Sequence, residues 1–180
     1  TTNYSESNTA TAYVTVEAAT SPTSFSVAPL EFTYDGQPHG PTISVNPGSA
    51  TYGVTGTSSA TNAGDYTCYV TATGSYSGSS GPINWKIKKR VPLQPTLVAS
   101  TTNATVNTAV SFTASGGLGT GSYVWSGASS TSVNEASATF STPGDYTVSV
   151  YRQGDQNHEQ SAAANVTVHV AAAAADPYVD

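Results

Sequence analysis

The 180-residue sequence predicts an all-β protein that folds as two tandem sandwich modules. Apolar and polar residues alternate with a period of two along much of the chain, which is typical of half-buried antiparallel strands. Gly, Pro and Asn clusters interrupt these runs as turns do. A Gly-Asp-Tyr-Thr sequence also occurs twice, with Tyr66 and Tyr146 separated by 80 positions, the length of one small immunoglobulin-like sandwich.

Four alternating runs predict the strands of each module. In the first module they are Phe25/Val27, Ile43/Val45, Tyr66/Cys68/Val70 and Ile83/Trp85/Ile87. In the second they are Val110/Phe112/Ala114, Tyr123/Trp125, Tyr146/Val148/Val150 and Val166/Val168/Val170. Each run places its apolar side chains on one face of a strand, so the two sets predict two immunoglobulin-like β-sandwiches.

A short basic segment that contains two prolines, from Lys88 to Pro95, marks the predicted boundary between the modules. We place the first module at residues 21–89, the second at residues 90–171, and a linker or tail at residues 172–180. Because prolines stiffen so short a connection, we expect the modules to adopt a limited range of angles.

The opening of the chain, residues 1–20, predicts an additional N-terminal strand. Residues 3–7 and 12–16 match residues 157–161 and 166–170 at a constant offset of 154, and both segments end in an alternating run. The apolar residues of the first run are Ala12, Val14 and Val16. The strand has no module of its own to close, which leaves two interpretations. It closes a preceding module of a longer polypeptide, or it is donated to another subunit and helps to build a filament.

The first module resembles the Tyr-Asp-Gly (MBG) class of bacterial immunoglobulin-like modules through Tyr34-Asp35-Gly36, the following His39 and the later Ala63-Gly64-Asp65-Tyr66. The second resembles a PKD-like module through Tyr123-Val124-Trp125-Ser126. It departs from that family in Ser126-Gly127-Ala128, where Asp-Phe-Gly-Asp-Gly is usual. A generic bacterial immunoglobulin-like label covers both modules. The resemblance implies a spacer, adhesive or filament-forming part of an extracellular or cell-surface protein.

Charge and composition argue against two classes of partner. The net charge is −6 with five Lys and Arg residues, which provides no basic face for a nucleic-acid backbone. No apolar run approaches the roughly 20 residues of a membrane-spanning helix, so we expect no membrane insertion in this segment. Charged residues make up 9% of the chain, and a polar but uncharged surface suits a secreted β-protein. Because Met and a leader sequence are both lacking, we expect the chain to be an interior part of a longer protein.

The two Gly-Asp-Tyr-Thr sequences predict structural corners. In the sandwich fold, a tyrosine at this position returns its hydroxyl to a nearby backbone group. We therefore assign a structural role to Tyr66 and Tyr146, and we expect Asp65 and Asp145 to help form the turns that precede them.

The two tryptophans are predicted core residues. Trp125 occupies the strand that carries the central indole in immunoglobulin-like cores, and Trp85 alternates with apolar neighbours on a closing strand. The alternative role is a platform for stacking a sugar, which requires exposed indoles beside other exposed aromatic side chains.

The sequence favours neither catalysis nor a cofactor. The three histidines, His39, His158 and His169, have no nucleophile with a recognisable local motif, so we expect no enzymatic activity. Paired His or Cys residues at metal-ligand spacing are lacking. Calcium is the remaining ion, but the aspartates are scattered along the chain, and we expect no cofactor. The single cysteine, Cys68, is interpreted as a small buried apolar residue, with an intermolecular disulfide as the alternative.

The predicted function is structural: a spacer, stalk or fibre-forming segment of a bacterial extracellular or cell-surface protein. Its expected partners are neighbouring immunoglobulin-like modules of the same or another chain, including further copies of itself. The alternative is an adhesin or a carbohydrate-binding accessory module of a secreted protein. Exposed aromatic side chains grouped on one sheet face would favour this alternative.

Overall fold

The computed structural model describes residues 21–174, in which every helix-or-strand element is a β-strand. The all-β prediction is therefore confirmed. The expected N-terminal strand, with Ala12, Val14 and Val16, lies outside the described residues, as does the end of the tail from residue 175. The described part of the chain has no helix that is long and apolar enough to cross a membrane.

The first module contains eight strands. They are β1 (Ser21–Pro22), β2 (Ser24–Ala28), β3 (Glu31–Thr33), β4 (Thr42–Asn46), β5 (Thr51–Gly56), β6 (Gly64–Thr73), β7 (Tyr76–Ser77) and β8 (Ile83–Lys88). Four of them form a sheet in the order β3-β8-β6-β5, and β2 pairs with β4 in a second sheet. The short strands β1 and β7 pair in parallel at the entrance to the module.

The core of the first module lies under β6 and β8. These strands pair antiparallel with Tyr66 opposite Trp85 and Cys68 opposite Ile83. The alternation seen in the sequence turns Cys68 and Val70 of β6 inward, where both are fully buried. Burial raises the pKa of the Cys68 thiol. The position of Cys68 therefore fits the buried apolar interpretation and gives a disulfide partner no access.

The second module contains eight further strands. They are β9 (Thr96–Ala99), β10 (Asn103–Thr105), β11 (Ala109–Ser115), β12 (Tyr123–Ser126), β13 (Ser129–Ser130), β14 (Glu135–Thr139), β15 (Gly144–Arg152) and β16 (Ala164–Ala171). They form two four-stranded sheets in the orders β10-β16-β15-β12 and β13-β14-β11-β9. This is a complete sandwich, since each face of the core is covered by four strands.

The core of the second module follows the alternation of β11, β15 and β16. Its fully buried side chains are Val110, Phe112, Ala114, Val148, Val150 and Val168. Residues from both sheets pack together, because the inner face of each strand meets the inner face of the opposite sheet. The two-sandwich architecture is thus confirmed, although the first sandwich has two strands rather than four in one of its sheets.

Candidate functional site: the joint between the modules

The loop between β15 and β16 is organised by the carboxylate of Asp155. This carboxylate accepts hydrogen bonds from the backbone N–H groups of Asn157 and His158, both at 2.8 Å, and from that of Thr120 at 2.7 Å. An Asp side chain that binds the backbone two and three residues later is a common way to stabilise a tight turn. Asp155 also ties this loop to the loop that precedes β12.

Asp155 is held in its charged form. The backbone N–H of Thr120, followed by those of Asn157 and His158 and by the His158 side chain, keeps the pKa of Asp155 well below its usual range. These bonds outweigh desolvation, which acts in the opposite direction. The Asp155 side chain is only 16% exposed, so the turn depends on a charge that solvent screens weakly.

Asn157, at the tip of this loop, contacts the first module. Its side-chain carbonyl accepts a hydrogen bond from the backbone N–H of Ala63 at 2.8 Å, and its side-chain amide donates to Asn62 Oδ1 at 3.1 Å. A polar side chain of the second module therefore satisfies a part-buried backbone donor of the first.

The linker adds backbone contacts to this joint. The N–H of Arg90 donates to the carbonyl of Asn157, and the N–H of Glu159 donates to the carbonyl of Arg90, each at 2.9 Å. Lys89 Nζ donates to the carbonyl of Asp155 at 2.6 Å. This parallel bridge between the linker and the loop continues the chain of contacts from the first module into the second.

His158 fills the space between the linker and the first module. Its ring lies edge-on to Tyr34 with the ring centroids 5.3 Å apart, and its Nδ1 lies 3.0 Å from Asp155 Oδ1. Pro92 and Pro95 of the linker are buried, although neighbouring linker residues are exposed. The connection is therefore packed and hydrogen-bonded rather than a free hinge.

The tyrosines of the repeated sequence form a corner in each module. Tyr66 donates its hydroxyl to the carbonyl of Asn62 at 2.6 Å, and Tyr146 donates to the carbonyl of Thr142 at 3.0 Å. Each tyrosine thus closes the segment that begins four residues earlier. In the first module, this segment also carries the Asn62 and Ala63 groups that bind Asn157.

The aspartates beside these tyrosines do not lie in turns. Asp65 and Asp145 are the second residues of β6 and β15, and they pair with Lys86 and His169 on the neighbouring strands. The expectation of a turn role is corrected, because the ladder already begins at the preceding glycine. Asp145 Oδ1 lies 2.5 Å from His169 Nδ1, which makes it a cross-strand partner.

The two tryptophans differ in their surroundings. Trp85 is 2% exposed, and its Nε1 donates to the carbonyl of Thr57 at 2.8 Å. Trp125 is half-buried against the second core, and its buried Nε1 has no hydrogen-bond partner within residues 21–174. Tyr66 packs on Trp85 with ring centroids 4.8 Å apart, so the first core is built around this aromatic pair.

The histidines, which the sequence left without a role, each lie beside an aspartate. His39 Nε2 is 2.8 Å from Asp35 Oδ1, and the other two pairs are those of His158 and His169. Within residues 21–174, no group of three or more His, Cys, Asp or Glu side chains has the arrangement of a metal site.

The joint was not predicted as a site, but the sequence contained a signal for it. The segment from Asn157 to Ser161 is one copy of a repeat whose other copy is Asn3 to Ser7. Such a repeat in a loop indicates a shared structural task, since loop sequences are otherwise free to vary. The contacts at the joint depend on where the other module lies, and the alternation of apolar residues does not predict that position.

No protein-family model matches the chain, and no curated protein matches it either. Among solved structures, the chain aligns with the fibronectin(III)-like modules of Clostridium thermocellum CbhA at 18% identity and a TM-score of 0.33. The alignment covers 83% of this chain and 95% of that one.

Two adhesin structures align at similar levels. For Escherichia coli FdeC, the identity is 18% and the TM-score 0.29, with 83% of this chain and 64% of that chain covered. For Yersinia pseudotuberculosis InvE, the identity is 12% and the TM-score 0.33, with 81% and 58% covered. The chain thus spans less than two thirds of either adhesin structure. At these TM-scores, the fold assignment depends on the strand order described above and not on the alignments.

Proposed function

We propose that the chain is a spacer, a two-module segment of a bacterial extracellular or cell-surface protein that holds its neighbours at a set separation. The observation that carries this proposal is the joint at Asn157, which ties the first module to the second through side-chain and backbone hydrogen bonds. A spacer needs such a joint because a freely hinged pair of modules has no defined length.

The distribution of the joint contacts supports stiffness. One set connects Asn157 to the corner of the first module, and a second connects the loop to Arg90 in the linker. Gln94 Nε2 also donates to the carbonyl of Ala163 at 2.5 Å, which holds the linker against the second module. Bending at the linker would have to break contacts at more than one point.

The surface composition supports an extracellular location for this spacer. Charged residues are 9% of the chain, and most outward positions of the strands carry Ser, Thr or Asn. An uncharged polar surface exposes few positively charged side chains that could bind nucleic acid or other polyanions. It allows many copies of such modules to lie side by side without strong electrostatic attraction.

Within residues 21–174, no observation supports the alternative role in carbohydrate binding. A sugar platform requires exposed aromatic side chains on one face. Tyr52 and Tyr69 are exposed, but Tyr52 lies opposite Ala72 and Tyr69 opposite Thr55, so they are on opposite faces of their sheet. Trp85 is buried, and it is not available for stacking.

A distance measurement between spin labels tests the spacer. Nitroxides are attached at Ser75→Cys, in the turn after β6, and at Ser141→Cys, before β15; both positions are exposed. The native thiol of Cys68 is buried and does not compete for label. We expect one narrow distribution of distances in electron–electron double resonance. A broad distribution in the unmodified joint would contradict the proposal.

A further inference from the structure

The first module has a gap where the second module has two strands. In the second module β13 and β14 lie between β12 and β15, and β14 pairs with β11. In the first module the chain passes from β5 to β6 without an intervening strand. Within residues 21–174, β4 therefore pairs with β2 alone, and its other edge is open from Thr42 to Asn46. The segment between β5 and β6 makes an isolated bridge from Ala60 to His39, ahead of β4.

The glycine and threonine positions at either end of this segment locate the gap. Gly56 ends β5 and Gly127 directly follows β12, and the two glycines approach the carbonyl groups of Thr67 and Thr147 in the same way. Eleven positions separate Gly56 from Thr67, whereas 20 separate Gly127 from Thr147. The first module therefore lacks nine residues at this point, about the length of a short strand and its turn.

The missing strand leaves apolar side chains uncovered. On β11 of the complete sandwich, Val110 and Phe112 are fully buried. On β4 the corresponding alternation leaves Ile43 and Val45 only half-buried. Val54 on β5 shares the inner face with the buried Val70 and is nevertheless 37% exposed. The opposite sheet thus ends too early to cover β5.

The open edge of β4 has no feature that would prevent another strand from pairing with it. Thr42, Ser44 and Asn46 are uncharged, and the prolines at positions 41 and 47 flank the strand without interrupting it. Natural proteins usually protect an open edge with a charge, a proline or a bulge. Five residues of open edge offer a pairing surface of about 16 Å, at roughly 3.3 Å per residue.

We propose that residues 10–18 of a second copy of this chain pair with the open edge of β4 and complete the first sandwich. Ala12, Val14 and Val16 are at the centre of the apolar alternation of this segment, which continues to Ala10 and Ala18 at its margins. Their spacing and modest size match the inner face of β14, where Ala136 and Ala138 face the core of the second module. Addition of a strand supplies both the backbone bonds and the side chains that β4 lacks.

A second copy fits this role better than the same copy. The described chain enters the first module through β1, which pairs in parallel with β7, and the N–H of Thr23 then donates to the carbonyl of Ser77. Because β2 already pairs with one edge of β4, a segment that precedes β1 would have to cross to the far edge of β4 to complete its own module. Glu17-Ala18-Ala19-Thr20 contains none of the Gly, Pro, Asn or Asp residues that favour a tight turn.

Disulfide trapping between two full-length chains tests the proposal. One chain carries Thr15→Cys, on the outer face of the donated strand, and the other carries Ser44→Cys, on the outer face of β4. The matched control replaces Ser44→Cys by Ser111→Cys. Ser111 is also an exposed serine flanked by apolar residues, but β11 already pairs with β14 and β9 on its two edges.

We expect a cross-linked heterodimer from the Thr15→Cys and Ser44→Cys pair under mild oxidation, and none above background from the control pair. Val14→Asp in the donor chain should abolish the cross-link, whereas Ala10→Asp, at the margin of the segment, should weaken it less. Equal cross-linking of the two pairs would overturn the proposal. So would a cross-link formed within one chain that carries both Thr15→Cys and Ser44→Cys.

This proposal concerns the edge of the first module and does not use the joint at Asn157. If no cross-link forms and the spin-label distance distribution is narrow, the strand-donation proposal is contradicted and the spacer proposal is supported. If the cross-link forms and the distance distribution is broad, the spacer proposal is contradicted and the strand-donation proposal is supported.

Discussion

The backbone N–H of Ala63 in the first module is bound by the side-chain carbonyl of Asn157 in the second, across 2.8 Å. The adjacent carbonyl, that of Asn62, accepts the hydroxyl of Tyr66 at 2.6 Å. One short segment therefore serves both the internal corner of its own module and the attachment of the next. This relationship links the stability of the first module to its orientation.

Asn157→Ala should release the Ala63 amide without unfolding either module. The substitution removes the acceptor, and a lost hydrogen bond of about 1 kcal/mol corresponds to roughly a fivefold faster exchange. Hydrogen exchange followed by NMR measures the rate at this amide directly. The amides of β6 and β8 should keep their protection, because their partners lie within the first module.

Asn165→Ala is the matched control for this substitution. Asn165 is an exposed asparagine of the same module, on β16 opposite Ser149. It should leave the exchange of the Ala63 amide unchanged. If both variants accelerate that amide equally, Asn157 does not act through its side chain.

Tyr66→Phe and Tyr146→Phe should each destabilise their own module by about 1 kcal/mol, the scale of one lost hydrogen bond. Tyr66→Phe should also disturb the joint, because the Asn62 carbonyl that it frees lies beside Ala63. Tyr146→Phe should have no effect there. Urea unfolding followed separately for each module measures the first effect, and exchange of the Ala63 amide measures the second.

Acid should weaken the second module through Asp155. Its folded-state pKa is lowered, so the unfolded chain binds a proton first as the pH falls. The stabilisation is therefore complete at neutral pH and is lost as the pH drops below about 4, the usual value for an unfolded Asp. Urea unfolding at neutral pH and at about pH 3 should show this loss in the second module.

Asp155→Asn removes the charge while preserving the shape of the side chain. At neutral pH it should destabilise the second module by about 1.5–3 kcal/mol, since it weakens hydrogen bonds to a charged group. The difference from the unmodified chain should shrink on acidification. Asp65→Asn, an exposed aspartate of the first module, controls for the change in net charge. A constant difference at all pH values would contradict the assignment.

The strands could be predicted from the sequence because burial on one face leaves a period of two in the residues themselves. Val110, Phe112 and Ala114 show this pattern, and all three are fully buried. The same pattern in Ile43 and Val45 did not reveal that their sheet is incomplete. Alternation reports which face of a strand turns inward, but it does not report how many strands cover that face.

The joint was less accessible to prediction for a different reason. Asn157 and Ala63 are 94 positions apart, and their bond depends on how two folded modules meet. The half-buried position of Trp125 likewise reflects the packing of neighbouring strands rather than its own alternation. Local patterns predict local structure, whereas contacts between modules require the folded surfaces of both.

Gly56 ends β5 and Gly127 precedes β13, and the two glycines have the same backbone conformation. Both have φ of +80°, and a Cβ added to either would lie 2.6 Å from a carbonyl oxygen, that of Thr67 or of Thr147. Gly56→Ala and Gly127→Ala should each destabilise their own module by about 2–3 kcal/mol, because the left-handed conformation and the backbone contact both oppose a side chain. Gly48→Ala is the control, since nothing lies within 4 Å of its added Cβ. Thermal unfolding should show a destabilised first module in Gly56→Ala, a destabilised second module in Gly127→Ala and no change in Gly48→Ala. A neutral Gly127→Ala would mean that this corner relaxes away from Thr147.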